Sequence, residues 1–133
     1  MTNLEKVFNF LDEAGTFYFV TIDGDKPRAR PISYKMLAEG KIWFGVGTFK
    51  DVYKQLAANP HLEVITSSKG KWIRYDGIAH FEDRPDLENK ALDNLKGIGD
   101  LYRKNGWKLG MFYLENAHVE IKAIADTIEE FDL

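Results

Sequence analysis

The sequence contains no cysteine, which excludes disulfides, thiol nucleophiles, iron–sulfur clusters and thiolate zinc sites, so redox chemistry would require a bound cofactor. Positive charge is not in excess either: 18 lysines and arginines face 21 acidic residues, a formal charge of -3 that disfavours nucleic acid as a partner. The first residues lack the basic start and the apolar block of a secretory signal, and no apolar run reaches membrane-spanning length. We therefore expect a cytoplasmic protein with no membrane partner.

The length of 133 residues fits a single domain, which we assign to residues 1–133. Leu4, Val7, Phe8 and Leu11 predict an amphipathic first helix, with Thr2 or Asn3 as its cap and Gly15 at its end. β-Branched and aromatic runs separated by turn residues predict strands at 16–22, 28–37, 42–47, 62–67, 72–81, 111–114 and 118–125. A short helix around Val52 and a second helix opening at Pro85, capped by Asp83, interrupt them. This order predicts a mainly β protein with helices (α+β), built on an antiparallel barrel of six to seven strands.

The segment Gly45–Lys50, "GVGTFK", lies where a strand passes into a helix. Its glycines expose backbone, Thr48 offers a hydroxyl, and Lys50 falls at the helix start, where backbone N–H groups favour an anion. These features are typical of a phosphate site. They are also typical of a bulge followed by a solvated lysine, with Asp51 balancing the helix dipole. The segment matches neither the dinucleotide-binding pattern nor the Walker pattern.

The preceding strand carries "RPISYK", residues 30–35, in which Pro31 removes a ladder donor and so indicates an edge or a bulge. By strict alternation Arg28 and Arg30 share one face, and Lys35 lies on the other. Other candidate chemistry is sparse. His61, His80 and His118 are too scattered to predict a metal site, no acid–base pair stands out, and "YRKNGWK" (102–108) is interpreted as a loop at the barrel rim.

Three segments carry a resemblance to a known family: "TFYFVTIDGDKPRARPISYKM", "GKIWFGVGTFKDVYKQLAANPHLEV" and "GKWIRYDGIAHFED". In this order and spacing they resemble the FMN-binding split-barrel proteins related to pyridoxamine 5'-phosphate oxidase, and most closely the short branch with nitroimidazole-resistance-type proteins. The resemblance covers nearly the whole chain. It implies a split β-barrel, FMN as cofactor, and a homodimer whose two cofactor sites lie at the subunit interface.

The resemblance also implies a set of cofactor-binding residues. Arg30 and Lys35 match the two basic positions of the family's arginine-x4-lysine pattern, whereas the serine, arginine and lysine of its next site are here Lys50, Asp51 and Val52. Lys50 is therefore the expected phosphate ligand, helped by Thr48 and Lys54, and Trp72 is expected to reach the flavin from the partner subunit or to be an ordinary half-buried aromatic residue. The whole expected set is Arg28, Arg30, Pro31, Ile32, Lys35, Val46, Gly47, Thr48, Lys50 and Trp72.

The expected function is that of an FMN-dependent oxidoreductase, in which the flavin supplies the chemistry and no side chain is assigned as catalytic. The chain ends soon after the last predicted strand, without the C-terminal segment that reads pyridoxal phosphate in the true oxidases, so we expect no vitamin oxidation. The alternative is a binding protein that holds FMN or haem without turnover, and a deazaflavin is a third candidate cofactor.

Overall fold

The computed structural model describes all residues, 1–133, as four helices and eight strands. In chain order these are α1 (Asn3–Ala14), β1 (Phe17–Asp23), β2 (Lys26–Ile32), β3 (Met36–Ala38), β4 (Lys41–Gly47), α2 (Asp51–Ala58), β5 (His61–Ser68), β6 (Lys71–Glu82), α3 (Pro85–Asn94), α4 (Ile98–Asn105), β7 (Leu109–Lys122) and β8 (Thr127–Asp132). None of the four helices has the length and apolar character needed to cross a membrane.

The first helix begins and ends where its sequence predicts. Thr2 Oγ1 accepts a hydrogen bond from the backbone N–H of Glu5, and the Glu5 carboxylate accepts one from the backbone N–H of Thr2. This capping box satisfies two of the otherwise unpaired donors at a helix start. Gly15 ends the helix with φ at 80°, a conformation that favours glycine. Val7 and Leu11, both fully buried, fix α1 against the sheet.

The eight strands form one antiparallel sheet in the order β2-β1-β5-β6-β7-β4-β3, with β8 paired to the second half of β7. The sheet curls around a core of aromatic rings, since Phe44 lies 5.1 Å from Phe19 and 5.7 Å from both Phe17 and Phe112. Helix α2 packs against β1 and β4 and so bridges two strands that are not hydrogen-bonded to each other. The predicted α+β split-barrel class is confirmed, with eight strands in place of six or seven.

The boundaries of the predicted strands differ from the structure in two places. The predicted strand 28–37 divides into β2, which pairs with β1, and β3, which pairs with β4. The two predicted closing strands are instead one strand, β7, with a kink at Asn116, where φ is 51°. Gly77 makes this kink possible, because a Cβ there would lie 2.8 Å from the carbonyl oxygen of Glu115.

Three further elements differ from the local predictions. The predicted glycine-bearing connection and rim loop contain helix α4, which packs on α3. Strand β8, "TIEEFD", has an acidic composition that does not predict a strand, and it forms by pairing with β7. Arg84, and not the predicted Asp83, occupies the cap position of α3, without a side-chain cap.

Candidate functional site

Arg30 lies on β2 with its side chain on the core-facing side, since it pairs with fully buried Phe19. Its Nη1 donates to Thr21 Oγ1 at 2.7 Å and to the Phe19 carbonyl at 3.2 Å, and its Nη2 donates to Gln55 Oε1 at 2.6 Å. Burial lowers the pKa of Arg30 and the charge of Asp51 opposes this effect. An arginine remains protonated in either case, so β2 presents a fixed cation to the flank of α2.

Helix α2 carries two further cations, Lys50 at its start and Lys54 one turn later. Lys50 is its cap residue, is exposed and makes no side-chain cap hydrogen bond, while Asp51 supplies the only acidic residue of the first turn. Gln55 lies five residues after Lys50, a rise of about 7.5 Å along the axis. Lys54 is exposed beside Gln55, and neither Lys50 nor Lys54 has a carboxylate within 4.0 Å. Arg30, Lys50 and Lys54 therefore flank one short helix without ion-pair partners.

Two other predicted basic residues are paired within the chain. Lys35 lies in the link between β2 and β3, where its Nζ is 3.0 Å from Asp12 Oδ1 and 4.8 Å from the centre of the Phe8 ring. Its side chain is only 8% exposed, so it is held against α1 and not against α2. Arg28 is exposed at the far part of β2, with its Nε 3.6 Å from Asp23 Oδ2. Their roles toward a cofactor stay predictions.

The end of β4 carries the predicted Val46, Gly47 and Thr48. Val46 and Gly47 are buried and pair with β7, while the backbone N–H of Thr48 donates to the Lys108 carbonyl at 2.9 Å. A Cβ at Gly47 would lie 2.6 Å from the hydroxyl of Tyr102. Packing within the chain thus accounts for Gly47, and its contact with a cofactor stays a prediction.

The predicted Pro31 and Ile32 end the edge strand of the sheet. β2 pairs only with β1, so one edge of its backbone has no strand partner, as the proline predicts. Pro31 is exposed on the outer face, and Ile32 packs against the core cluster. The backbone polar groups on this free edge of β2 are therefore available to an extended ligand.

Trp72 lies on the outer face at the start of β6, where Arg74 and Lys122 contact its ring at 5.0 and 5.7 Å. The register separates it from Arg30 by three strand spacings, about 14 Å, and by three residues along β6. The two side chains also lie on opposite faces of the sheet. A single chain therefore does not bring Trp72 and Arg30 together.

Sequence reasoning missed Thr21 and Gln55, the two residues that hold Arg30. Thr21 is 1% exposed, and its hydroxyl lies 2.6 Å from Gln55 Oε1. A threonine on a strand and a glutamine on a helix surface carry no local signal for this contact, since 34 residues separate them. Only a buried polar position on β1, predicted from alternation with Phe17 and Phe19, could have pointed to Thr21.

His80 and His118 each contact two carboxylates, His61 contacts none, and no group of three or more histidine and acidic side chains could hold a metal ion. His118 has Asp132 and Glu130 each 2.7 Å from one ring nitrogen, and hydrogen bonds to Asp132 and then Glu130 raise its pKa. His80 lies 2.7 Å from Glu115 and 3.3 Å from Glu82. All six groups belong to β6, β7 and β8, none of which pairs with β1 or β2.

Solved structures share this fold over nearly the full chain. A NimC/NimA family protein from Clostridium acetobutylicum is 29% identical with a TM-score of 0.87, covering 100% of this chain and 95% of its own. A pyridoxamine 5'-phosphate oxidase-related, FMN-binding protein from Nostoc punctiforme is 11% identical with a TM-score of 0.73, covering 99% and 90%. HutZ, the haem storage protein from Vibrio cholerae, is 14% identical with a TM-score of 0.63, covering 92% and 95%.

The sequence itself gives the decisive comparison. No curated protein sequence matches the chain. Residues 4–129, however, match the sequence profile of the family described as pyridoxamine 5'-phosphate oxidase, which is nearly the whole length. The eight-stranded split barrel agrees with that match, and the chain belongs to the pyridoxamine 5'-phosphate oxidase family.

Proposed function

We propose that this chain is an FMN-binding flavoprotein that passes a hydride or electrons from a reduced donor to a small-molecule acceptor. The observation that carries the proposal is the state of Arg30, a half-buried cation that lies beside α2 with no carboxylate within 4.0 Å. A partly buried charge without a counter-ion is costly, and a phosphate dianion would stabilise it. Lys50 and Lys54 on the same helix add to the attraction.

The residues present fit a flavin phosphate in charge, since Arg30, Lys50 and Lys54 have no carboxylate partner within the chain. Arg30 and Lys50 would bind the phosphate, the unpaired edge of β2 at Pro31 and Ile32 would lie along the rest of the cofactor, and Trp72 of the partner subunit would exclude water from it. Bound FMN would supply the redox chemistry through its ring system. The chemistry would then need neither a nucleophile nor a metal cluster from the chain itself.

Haem is the alternative that the similarity to HutZ raises. An axial histidine needs a free ring nitrogen, and both nitrogens of His118 and of His80 lie within 3.3 Å of carboxylates. Only His61 among the three histidines has no such contact. Haem ligation by a histidine would therefore depend on His61, which is exposed at the start of β5.

A homodimer is part of the proposal, because Trp72 and Arg30 lie on opposite faces of one sheet. The outer face of β1, β5 and β6 suits a partner: Tyr18 and Ile22 are 44% and 36% exposed there. Arg74 on this face is neutralised by Glu63 at 3.1 Å and Glu120 at 3.4 Å. Exposed apolar residues around a neutralised charge are typical of protein interfaces.

The test is the spectrum of the purified protein and the identity of its ligand. We expect a yellow protein whose denatured extract contains FMN by mass spectrometry, and whose colour bleaches when a reduced nicotinamide is added without oxygen. A Soret band would support haem binding, and a deazaflavin in the extract would change the cofactor. Persistent yellow colour with every donor tested would leave a flavin-binding protein without turnover.

A further inference from the structure

Arg30 is the only one of the five arginines without an acidic partner. Arg28, Arg74, Arg84 and Arg103 each have a carboxylate oxygen within 4.0 Å, at 3.6, 3.1, 2.6 and 2.8 Å respectively. Arg30 has only neutral acceptors: a hydroxyl, a side-chain amide and backbone carbonyls. Its side chain is therefore held firmly, yet it keeps its full positive charge.

The way in which Arg30 is held leaves one edge of the guanidinium free. Thr21 Oγ1 and Gln55 Oε1 receive Nη1 and Nη2 at 2.7 and 2.6 Å, and these two oxygens are 2.6 Å apart. These two oxygens therefore lie at the end of the guanidinium that carries Nη1 and Nη2. The Nε–H and the second N–H of Nη2 lie on the adjacent edge, and Nε has no acceptor in the chain. Such a parallel pair of N–H groups matches the oxygens of a phosphate.

Gln55 is neutral, so the group formed by Arg30, Thr21 and Gln55 keeps the positive charge of Arg30. Its Oε1 receives donors from both Thr21 and Arg30, which fixes the carbonyl oxygen, and not the NH₂, toward the guanidinium. A glutamate at this position would make the same two hydrogen bonds and would attract Arg30 more strongly. It would also cancel the charge of Arg30, which the amide does not. Asp51, in the first turn of the same helix, acts on Arg30 through space only.

We propose that Gln55, together with Thr21, is the positioning element that holds Arg30 without neutralising it, and that the neutral amide at position 55 is what makes this corner selective for a phosphate dianion. The proposal rests on the proposed function, because it takes the phosphate of FMN as the ligand of Arg30. It extends that function by naming the residue that sets the preference for a phosphorylated flavin over the same flavin without phosphate.

The test compares the affinities for FMN and riboflavin, which differ only in the phosphate, and defines the phosphate preference as the ratio of the two dissociation constants. In Gln55→Glu we expect the preference to fall at least about tenfold, the size of one lost charge-assisted contact. The riboflavin affinity should stay the same, and the melting temperature should stay or rise, because the new carboxylate pairs with Arg30. If Gln55 had only a structural role, the substitution would change the affinities for FMN and riboflavin alike and would lower the melting temperature.

Ala57→Glu is the matched control. Position 57 is exposed on α2 and lies about 200° around the helix from position 55, so it adds the same charge on the other side. We expect it to lower the preference by less than about threefold, through long-range charge alone. Gln55→Met, which removes the acceptor without adding charge, should lower the melting temperature as well as the preference, because Arg30 and Thr21 lose their partner.

The outcomes separate the two proposals. If Gln55→Glu keeps the wild-type preference while it folds, or if Ala57→Glu lowers the preference equally, the role of Gln55 is overturned and the proposed function stands. If the wild-type protein binds FMN no better than riboflavin, the phosphate site itself is overturned, and the role of Gln55 with it. Should Gln55→Glu fail to fold, an unchanged preference in Gln55→Met would still refute the positioning role.

Discussion

Replacing Arg30 and Lys50 in turn by alanine tests the phosphate site through a difference that the structure predicts. Arg30 is half-buried and held by Thr21 and Gln55, so it forms its contact with a phosphate at little further entropy cost. We expect its loss to cost about 1.5–3 kcal/mol, the range for hydrogen bonds to charged groups. The FMN dissociation constant should rise about 10- to 150-fold.

Lys50 is exposed at the start of α2, so water and salt screen its charge. We expect Lys50→Ala to cost about 0.3–1 kcal/mol, as exposed charge interactions do, which is roughly a two- to fivefold rise in the dissociation constant. The effect of Lys50 should also shrink in high salt, whereas the effect of Arg30 should persist, because a half-buried contact is screened less.

Flavin fluorescence titrations with FMN and riboflavin supply both dissociation constants, and circular dichroism shows whether each variant folds. Arg103→Ala is the control, because Arg103 pairs with Asp93 at 2.8 Å in the α3–α4 region and should leave both affinities unchanged. A larger effect for Lys50 than for Arg30 would refute the reasoning, and so would an Arg30 effect of equal size on FMN and riboflavin.

Three further predictions concern assembly and stability. Light scattering should give twice the 15.3 kDa chain mass, and Ile65→Arg on the outer face of β5 should yield monomers that lose flavin; monomers that keep it would contradict a shared site. The pKa of His118 is raised above its ordinary 6.5, so its stabilising contribution is present below that pH and is lost as the pH rises through the folded-state pKa. The difference in melting temperature between the wild type and His118→Gln should therefore shrink from about pH 6 to about pH 9, and a constant difference would argue against it. Gly99→Ala should lower the free energy of unfolding by about 1–3 kcal/mol in denaturant titrations, because its Cβ would overlap the Leu92 carbonyl; an unchanged midpoint would show that α4 shifts freely.

The core elements of the fold followed from local patterns. The predicted first helix is α1 as observed, ending at Gly15, and of the two predicted caps, Thr2 and Asn3, the structure has Thr2. The strands predicted at 42–47 and 72–81 lie within one residue of β4 and β6. These segments have strong alternation or helical periodicity, and their local preference agrees with their final environment.

Elements with weak local signals depended on distant partners. "TIEEFD" forms β8 because the free edge of β7 accepts it, and His118 lies between two of its carboxylates. Residues 28–37 look like one strand, but the chain changes partner from β1 to β4 between Ile32 and Met36. Neither pairing can be derived from the segment itself, since it is determined by what lies beside it in the sheet.

The candidate site divides in the same way. The sequence by itself determined the split-barrel class, the absence of thiol chemistry, and the family of the chain. It also indicated the basic residues on β2 and at the start of α2 as candidates for the site. Only the tertiary structure decided which of these cations are free: Lys35 pairs with Asp12, 23 residues away, and Arg30 meets Thr21 and Gln55. The physical reason is that a charge is neutralised by its neighbours in space, and residue type and spacing along the chain do not specify those neighbours.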